Sequence, residues 1–173
     1  MTAPWVLRRL TRVTPAEIEG LADVLVDCVA GGASVSFMQP FTIDRAREFW
    51  TGIAGDVAAG RRALLIGEDA TGVCGTVQLL LEQPENQPHR ADLLKMLVHR
   101  RARRQGLGAA LLTAAESMAR DCGKTLLVLD TASDEAERLY ERVGWVRVGV
   151  VPDYALLPNG DPCSTTFYYR DLR

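Results

Sequence analysis

The period of the apolar positions switches repeatedly along this chain, and the switches predict its elements. Residues 5–10 (Trp-Val-Leu-Arg-Arg-Leu) read as a short first strand. Thr14-Pro15-Ala16-Glu17 is a capping box with proline at the first helical position. Ile18, Leu21, Ala22, Leu25, Val26 and Val29 follow at helical spacing until Gly31-Gly32 stops the run. A loop over 33–40 leads to Thr42, a second N-cap. The helix after it buries Ala46, Phe49, Trp50, Ile53 and Val57 and ends near Gly60. The texture then becomes extended. Residues 63–68 and 73–82 are strands joined by Asp69-Ala70-Thr71-Gly72, a hairpin turn. A polar loop over 83–90 precedes a strand over 91–99.

The second half alternates differently. A basic stretch, 100–105, opens a helix that runs through Cys122 and stops at Gly123. Residues 125–131 form a nearly continuous apolar run, as expected of a strand covered on both faces. A helix spans 133–143. Residues 146–151 and 165–170 are closing strands, joined by a loop that contains Pro158-Asn159-Gly160. The predicted order is βααβββαβαββ. One strand–helix–strand unit implies a parallel pair, and the flanking hairpins make the sheet mixed.

Composition narrows the function classes. The chain has 173 residues, 47% hydrophobic and 24% charged, which suits one domain over residues 1–173 and excludes disorder. No apolar run approaches the ~18–20 residues of a membrane span. The net charge of −2 gives no general nucleic-acid footprint, so an anionic ligand needs a local patch. Cys28, Cys74, Cys122 and Cys163 show no paired spacing, so neither disulfides nor a metal site is expected. The first residues lack a basic start followed by an apolar stretch, and a reducing cytoplasm is the expected location.

The chemical signal is Arg103-Arg104-Gln105-Gly106-Leu107-Gly108-Ala109, between a strand and a helix. The first N–H groups of a helix have no intrahelical partner, and the helix dipole is positive there. Gly106 and Gly108 remove two Cβ atoms from that end, and Arg100, Arg101, Arg103 and Arg104 bring charge to it. A dinucleotide fingerprint would need a third glycine, and a P-loop would need Gly-Lys-Ser/Thr. Neither is present.

The strand over 93–99, followed by Arg103-x-x-Gly106-x-Gly108 and an apolar helix, resembles the acetyl-CoA-binding motif of the GNAT N-acetyltransferases. The stretches 32–37, 87–92 and 129–131 are most similar to the tabtoxin-resistance branch of that family. The resemblance implies an α/β fold with a mixed, mostly antiparallel central sheet, splayed at the acetyl-CoA site and flanked by helices. It implies acetyl-CoA as acetyl donor, no metal, and transfer to a primary amine of a small molecule by direct attack in a ternary complex. A role in toxin or antibiotic resistance rests on the branch alone. A protein or peptide N-acetyltransferase and a non-catalytic acyl-CoA-binding module are the alternatives. Nucleic acid and membrane are not expected partners, and the oligomer would be a monomer or a homodimer.

The same resemblance implies the site. Met96, Leu97 and Val98 would pair with pantetheine, and Arg103, Arg104, Gln105, Gly106, Leu107, Gly108 and Ala109 would hold the pyrophosphate. Thr131, Ser133, Ala136 and Tyr140 would line the coenzyme side. The Val98 N–H would face the thioester carbonyl, and Tyr140 would protonate the leaving thiolate. For the base, Asp92 leads Asp130, Glu82 is a third option, and solvent or another residue is also open. Ser34, Phe37, Glu82, Tyr154 and Asn159 are candidate acceptor contacts. Between Ser133 and Asp134, either could cap the helix that carries Tyr140.

Overall fold

The computed structural model describes residues 4–173. Seven strands form one sheet: β1 (Val6–Leu10), β2 (Arg62–Asp69), β3 (Gly72–Leu80), β4 (Arg90–Val98), β5 (Leu126–Thr131), β6 (Val146–Leu156) and β7 (Pro162–Asp171). The helices are α1 (Pro15–Ala30), α2 (Ile43–Ala58), α3 (Leu107–Asp121) and α4 (Asp134–Arg142). The strand order is β1-β2-β3-β4-β5-β7-β6, and β4–β5 is the parallel pair. The element order is the predicted one, and the sheet is mixed and mostly antiparallel.

The helices begin where side chains replace the missing backbone partners. Thr14 and Glu17 complete the predicted capping box of α1, and Thr42 caps α2. Strand alternation then builds two apolar layers. Leu65, Val77, Leu79, Ala91, Leu93, Leu127 and Leu129 pack with Leu107, Leu111, Ala115 and Tyr140 on the α3–α4 side. Leu64, Ile66 and Val73 pack with Leu21, Leu25 and Trp50 on the α1–α2 side. Leu97 belongs to both layers.

Close approach of α3 to the sheet depends on Gly75. A Cβ there would lie 2.9 Å from Leu107 Cδ2 and 3.2 Å from both Leu111 Cδ1 and the Leu97 carbonyl oxygen. Gly75→Val is expected to destabilise the fold by ~2 kcal/mol through overpacking. A lowered urea midpoint with an unchanged m-value would check this.

Two elements differ from the sequence expectation. β5 is not covered on both faces: Leu127 and Leu129 are buried, while Asp130 is exposed. The reason is coverage, because α1 lies on β3 and β4 and α2 lies on β2, leaving the second face of β5 open. The loop expected between the last strands is largely strand. β6 runs to Leu156 and pairs with β7 from Pro162, around an irregularity between Val151 and Ala155. Among the described residues, no helix is long and apolar enough to cross a membrane.

Candidate active site

The site begins where β4 leaves β5. Their parallel register runs only from Arg90↔Leu126 to Asp92↔Val128, after which the strands part. On its other edge, β4 passes from Gln78↔Leu94 to Thr76↔Leu97. Two residues, Lys95 and Met96, therefore oppose Val77 alone, which is a β-bulge. Lys95 has φ +49°. That left-handed conformation costs a residue with a Cβ ~1–2 kcal/mol. Bulge and divergence together open a gap in the sheet.

The strand edge presents polar groups to this gap. The His99 N–H donates to the Cys74 carbonyl at 2.9 Å, so Gly75 and Val98 form a non-hydrogen-bonded pair. The Val98 N–H thus points away from β3, toward the gap. The Val98 carbonyl accepts from Arg103 Nε at 3.2 Å and from Cys28 Sγ at 3.7 Å.

The α3 N-terminus meets the α3–α4 side of the opening. Gly106 is its N-cap with φ +82° and offers no side-chain cap. The first intrahelical bond of α3 runs from Ala110 N–H to the Gly106 carbonyl, so the amides of Leu107, Gly108 and Ala109 precede it. A Cβ at Gly106 would meet nothing within 4 Å, so the space over this turn is open. Gly108 serves packing: its Cβ would come within 3.0 Å of Leu139 Cδ2 and 3.1 Å of Met96 Cε. These features suit a diphosphate, whose oxygens need uncapped amides and room.

The arginine run divides its work. Arg100 pairs with Asp27 at 2.7 Å and Arg101 with Asp69 at 3.0 Å, and Arg101 also donates to the Val73 carbonyl. Arg101 holds the Asp69 carboxyl well below its usual range. Arg103 reaches Val98. Arg104 is exposed, with φ +59° and no ion-pair or hydrogen-bond partner among the described residues. Of the four predicted cations, Arg104 is therefore the one held in reserve.

Tyr140 enters from α4. Its ring lies 5.9 Å from Trp145 and 5.7 Å from Tyr168 and is only 5% exposed. Its hydroxyl makes no hydrogen bond among the described residues. Burial, with smaller contributions from Asp130 and Tyr168, pushes the phenol pKa up, so it stays protonated at neutral pH. Ser133, not Asp134, caps α4 by accepting from Ala136 N–H at 3.3 Å. Thr131 Oγ1 accepts from Ser133 N–H, so both hydroxyls shape the turn into α4. Ala136 packs partly buried against the core.

The two candidate bases differ in their partners. Asp92 is bound by Arg90 and accepts from Gln83 Nε2 at 3.1 Å. Asp130 lies two residues beyond Val128, across the gap from the bulge. Desolvation raises its pKa; Lys95 opposes that rise and Asp92 adds to it.

On the α1–α2 side, Phe37 packs with Phe41 and Phe49. Lys95 Nζ donates to Ser36 Oγ at 3.0 Å and lies 5.8 Å from the ring centroids of both Phe37 and Phe49. Ser34 Oγ donates to the Leu156 carbonyl, and Gln39 N–H donates to the Pro158 carbonyl. The loop between α1 and α2 is thereby strapped to the β6–β7 hairpin. Tyr154 stacks edge-on against Phe167, which pairs with Asp130 across the β5–β7 ladder. Asn159 serves its own turn, binding Asp161. Glu82 is exposed beyond the end of β3, with Arg61 at 3.9 Å, and is not brought to the gap.

Lys95, Ser36 and Phe167 were not among the sequence candidates. One signal could have singled out Lys95: only two of the 20 basic residues are lysines, Lys95 and Lys124. Ser36 and Phe167 carry no such mark.

The acetyltransferase (GNAT) family model matches residues 29–145, more than half of the chain and all of the gap-forming strands and helices. The chain is a GNAT acetyltransferase. Acetyl-CoA is its acetyl donor, consistent with the open α3 N-terminus. Solved structures with the same fold include an N-acetyltransferase from Staphylococcus aureus Mu50, at 19% identity and TM-score 0.79, covering 98% of this chain and 99% of that one. A ribosomal-protein-alanine N-acetyltransferase from Brucella melitensis matches at 20% identity and TM-score 0.77, over 96% and 99% of the two chains. A phosphinothricin acetyltransferase from Sinorhizobium meliloti, solved with acetyl-CoA, matches at 16% identity and TM-score 0.78, over 97% and 88%. At these identities the likeness to the three structures establishes the GNAT fold. Among the described residues of this acetyltransferase, no group of three or more His, Cys, Asp or Glu is placed to hold a metal ion.

Proposed function

We propose that this GNAT enzyme, as one domain, acetylates a primary amine on a small molecule by direct attack within a ternary complex. The observation that carries this reading is the gap between β4 and β5. It is bordered by α3 and α4 on one side and by the strapped α1–α2 loop on the other. The strap supports a small acceptor, since a protein substrate needs an open groove. The likeness to a phosphinothricin acetyltransferase agrees with a small acceptor, and the stretches 32–37, 87–92 and 129–131 are what favour the tabtoxin-resistance branch within that reading. A resistance role would be checked by growth of an expressing strain on amine-bearing toxins.

Acetyl-CoA supplies an activated acyl group as a thioester. The amides of Leu107, Gly108 and Ala109, with Arg104, hold its diphosphate, while Arg103 stays on the Val98 carbonyl, and Met96–Val98 offer a strand edge to its pantetheine arm. The Val98 N–H faces the carbonyl oxygen where negative charge collects, a contact typically worth ~2.7–4 kcal/mol when removed. Asp130 takes the proton of the attacking amine. Asp92 is the weaker candidate, because Arg90 and Gln83 already occupy its oxygens. The Tyr140 hydroxyl gives its proton to the departing sulfur.

Thiol release from acetyl-CoA across amino acids, polyamines, aminoglycosides and peptides tests the reading. Turnover confined to peptides would replace it with the protein-acetyltransferase alternative, and coenzyme binding without any turnover would replace it with the binding module.

The sign of the pH effect follows from Asp130. A protonated carboxyl cannot accept a proton, so kcat falls as pH drops through a pKa raised above the ordinary carboxylate value. Asp130→Asn is expected to remove that limb and lower kcat ~100-fold. Asp92→Asn should leave the limb in place. The folded state favours neutral Asp130, so stability falls as pH rises from the unfolded-state carboxyl pKa to the raised one, and the full cost stands above it. Asp130→Asn should therefore fold at least as stably as the parent near neutral pH, as thermal melts would show.

A further inference from the structure

We propose that Lys95 is the specificity determinant of the acceptor site: its ammonium receives an oxyanion, a carboxylate or a phosphonate, carried by the amine that is acetylated. The inference rests on the small-molecule acetyltransferase reading and names the class of its acceptor.

Four observations lead there. The first is position. Lys95 is the first residue of the bulge that opens the sheet, in a left-handed conformation that glycine or asparagine adopts at less cost. A long cationic side chain held at such a position is retained for what its tip does.

The second is incomplete pairing. An ammonium has three donors. Ser36 Oγ takes one, and no carboxylate lies within 4.0 Å of Lys95 Nζ among the described residues. The other lysine is different: Lys124 Nζ donates to the Leu81 and Pro88 carbonyls at 2.9 and 2.8 Å. Nearby Arg62 is likewise occupied, by Asp56 and Gln78. Lys95 therefore keeps donors available beside the gap.

The third is its surroundings. The Phe37 and Phe49 rings attract a cation through their faces but offer no negative charge. Burial weakens the ammonium, Asp130 on β5 supports it, and Arg62 on β2 weakens it further. An anion arriving in this half-buried place would restore the balance.

The fourth is complementarity. Asp130 stands across the gap, without an ion-pair partner within 4.0 Å among the described residues. A molecule with an ammonium at one end and an oxyanion at the other would set its cation at Asp130 and its anion at Lys95. Its amine would then sit at the opening that the Val98 amide faces.

The test uses the intact enzyme and acetyl-CoA. Amino acids and aminoalkylphosphonates are compared with uncharged counterparts, the carboxamides and the phosphonate diesters. The parent enzyme should prefer the acid over its neutral counterpart by about 10- to 100-fold in kcat/KM, the worth of one charge-assisted hydrogen bond. In Lys95→Asn, which suits the left-handed backbone, that preference should shrink to about twofold, mainly through KM for the acceptor. Thermal melts of Lys95→Asn should be no lower than those of the parent, which separates recognition from a structural role.

A parent enzyme that turns over neutral or polycationic amines without preferring the acids would overturn the Lys95 proposal and leave the acetyltransferase reading intact. Equal loss with acid and neutral acceptors in Lys95→Asn would do the same. Calorimetric binding of acetyl-CoA with no turnover of any small amine would instead remove the small-molecule reading, and the Lys95 proposal with it.

Discussion

Tyr140→Phe is expected to lower kcat by ~100-fold, the lower end of what general acid catalysis contributes, while KM for acetyl-CoA changes by no more than about twofold. The ring is a core element, packed on Trp145 and Tyr168, and phenylalanine keeps its shape. The hydroxyl has no hydrogen-bond partner among the described residues, so its removal breaks no internal bond. A structural role for the hydroxyl would appear in the melting temperature, and a chemical role in turnover. Because burial keeps the phenol protonated, Tyr140 contributes no falling alkaline limb to kcat near neutral pH. Steady-state thiol release, paired with thermal melts, separates the two roles. Unchanged turnover would take Tyr140 out of the mechanism.

Arg104→Glu should raise KM for acetyl-CoA by about 10- to 100-fold, since a charge-assisted hydrogen bond is lost and a like charge introduced. The neighbouring arginine gives the contrast. Arg101 serves Asp69 and the Val73 carbonyl, so Arg101→Ala should lower stability rather than affinity. Its pH signature follows from Asp69, whose carboxyl is depressed by Arg101 in the folded state. That pairing stabilises the fold at pH values above the unfolded-state carboxyl pKa, and the contribution fades as pH falls through the acid range. Acid titrations of parent and Arg101→Ala should therefore converge at low pH. Coenzyme titration of Arg104→Glu at several salt concentrations should show a weaker salt dependence than the parent. Identical KM values for Arg104→Glu and the parent would show that the helix amides hold the diphosphate without it.

Much of the fold was legible from local rules. Thr14 and Glu17 announce α1, Thr42 announces α2, and Gly106 marks the start of α3, because caps and positive φ angles are satisfied within a few residues. The stretch from Arg103 to Ala109 could be recognised for the same reason. Its chemistry lies in the main chain of one turn.

Other features depended on side-chain pairings and coverage that only the folded chain sets. The apolar run of β5 suggested burial on both faces, yet Asp130 stands on an open face because α1 and α2 end their coverage at β4. By position on the strands, Asp92 leads Asp130 as the base. Arg90 and Gln83 distinguish them, and no periodicity reports such pairings. Lys95 was passed over because a bulge arises from the register of two strands, and a register belongs to neither strand alone.

The amino-acid order by itself determined the sequence of helices and strands and the uncapped, glycine-started helix that suits an anion, since each follows from contacts within one turn or one strand period; the coenzyme came from the resemblance of that stretch to the GNAT motif. Tertiary structure decided where β4 and β5 separate, which arginine stays available, which aspartate is left unpaired and what Lys95 faces. These include contacts between segments as much as 73 residues apart, and they exist only once the sheet has assembled.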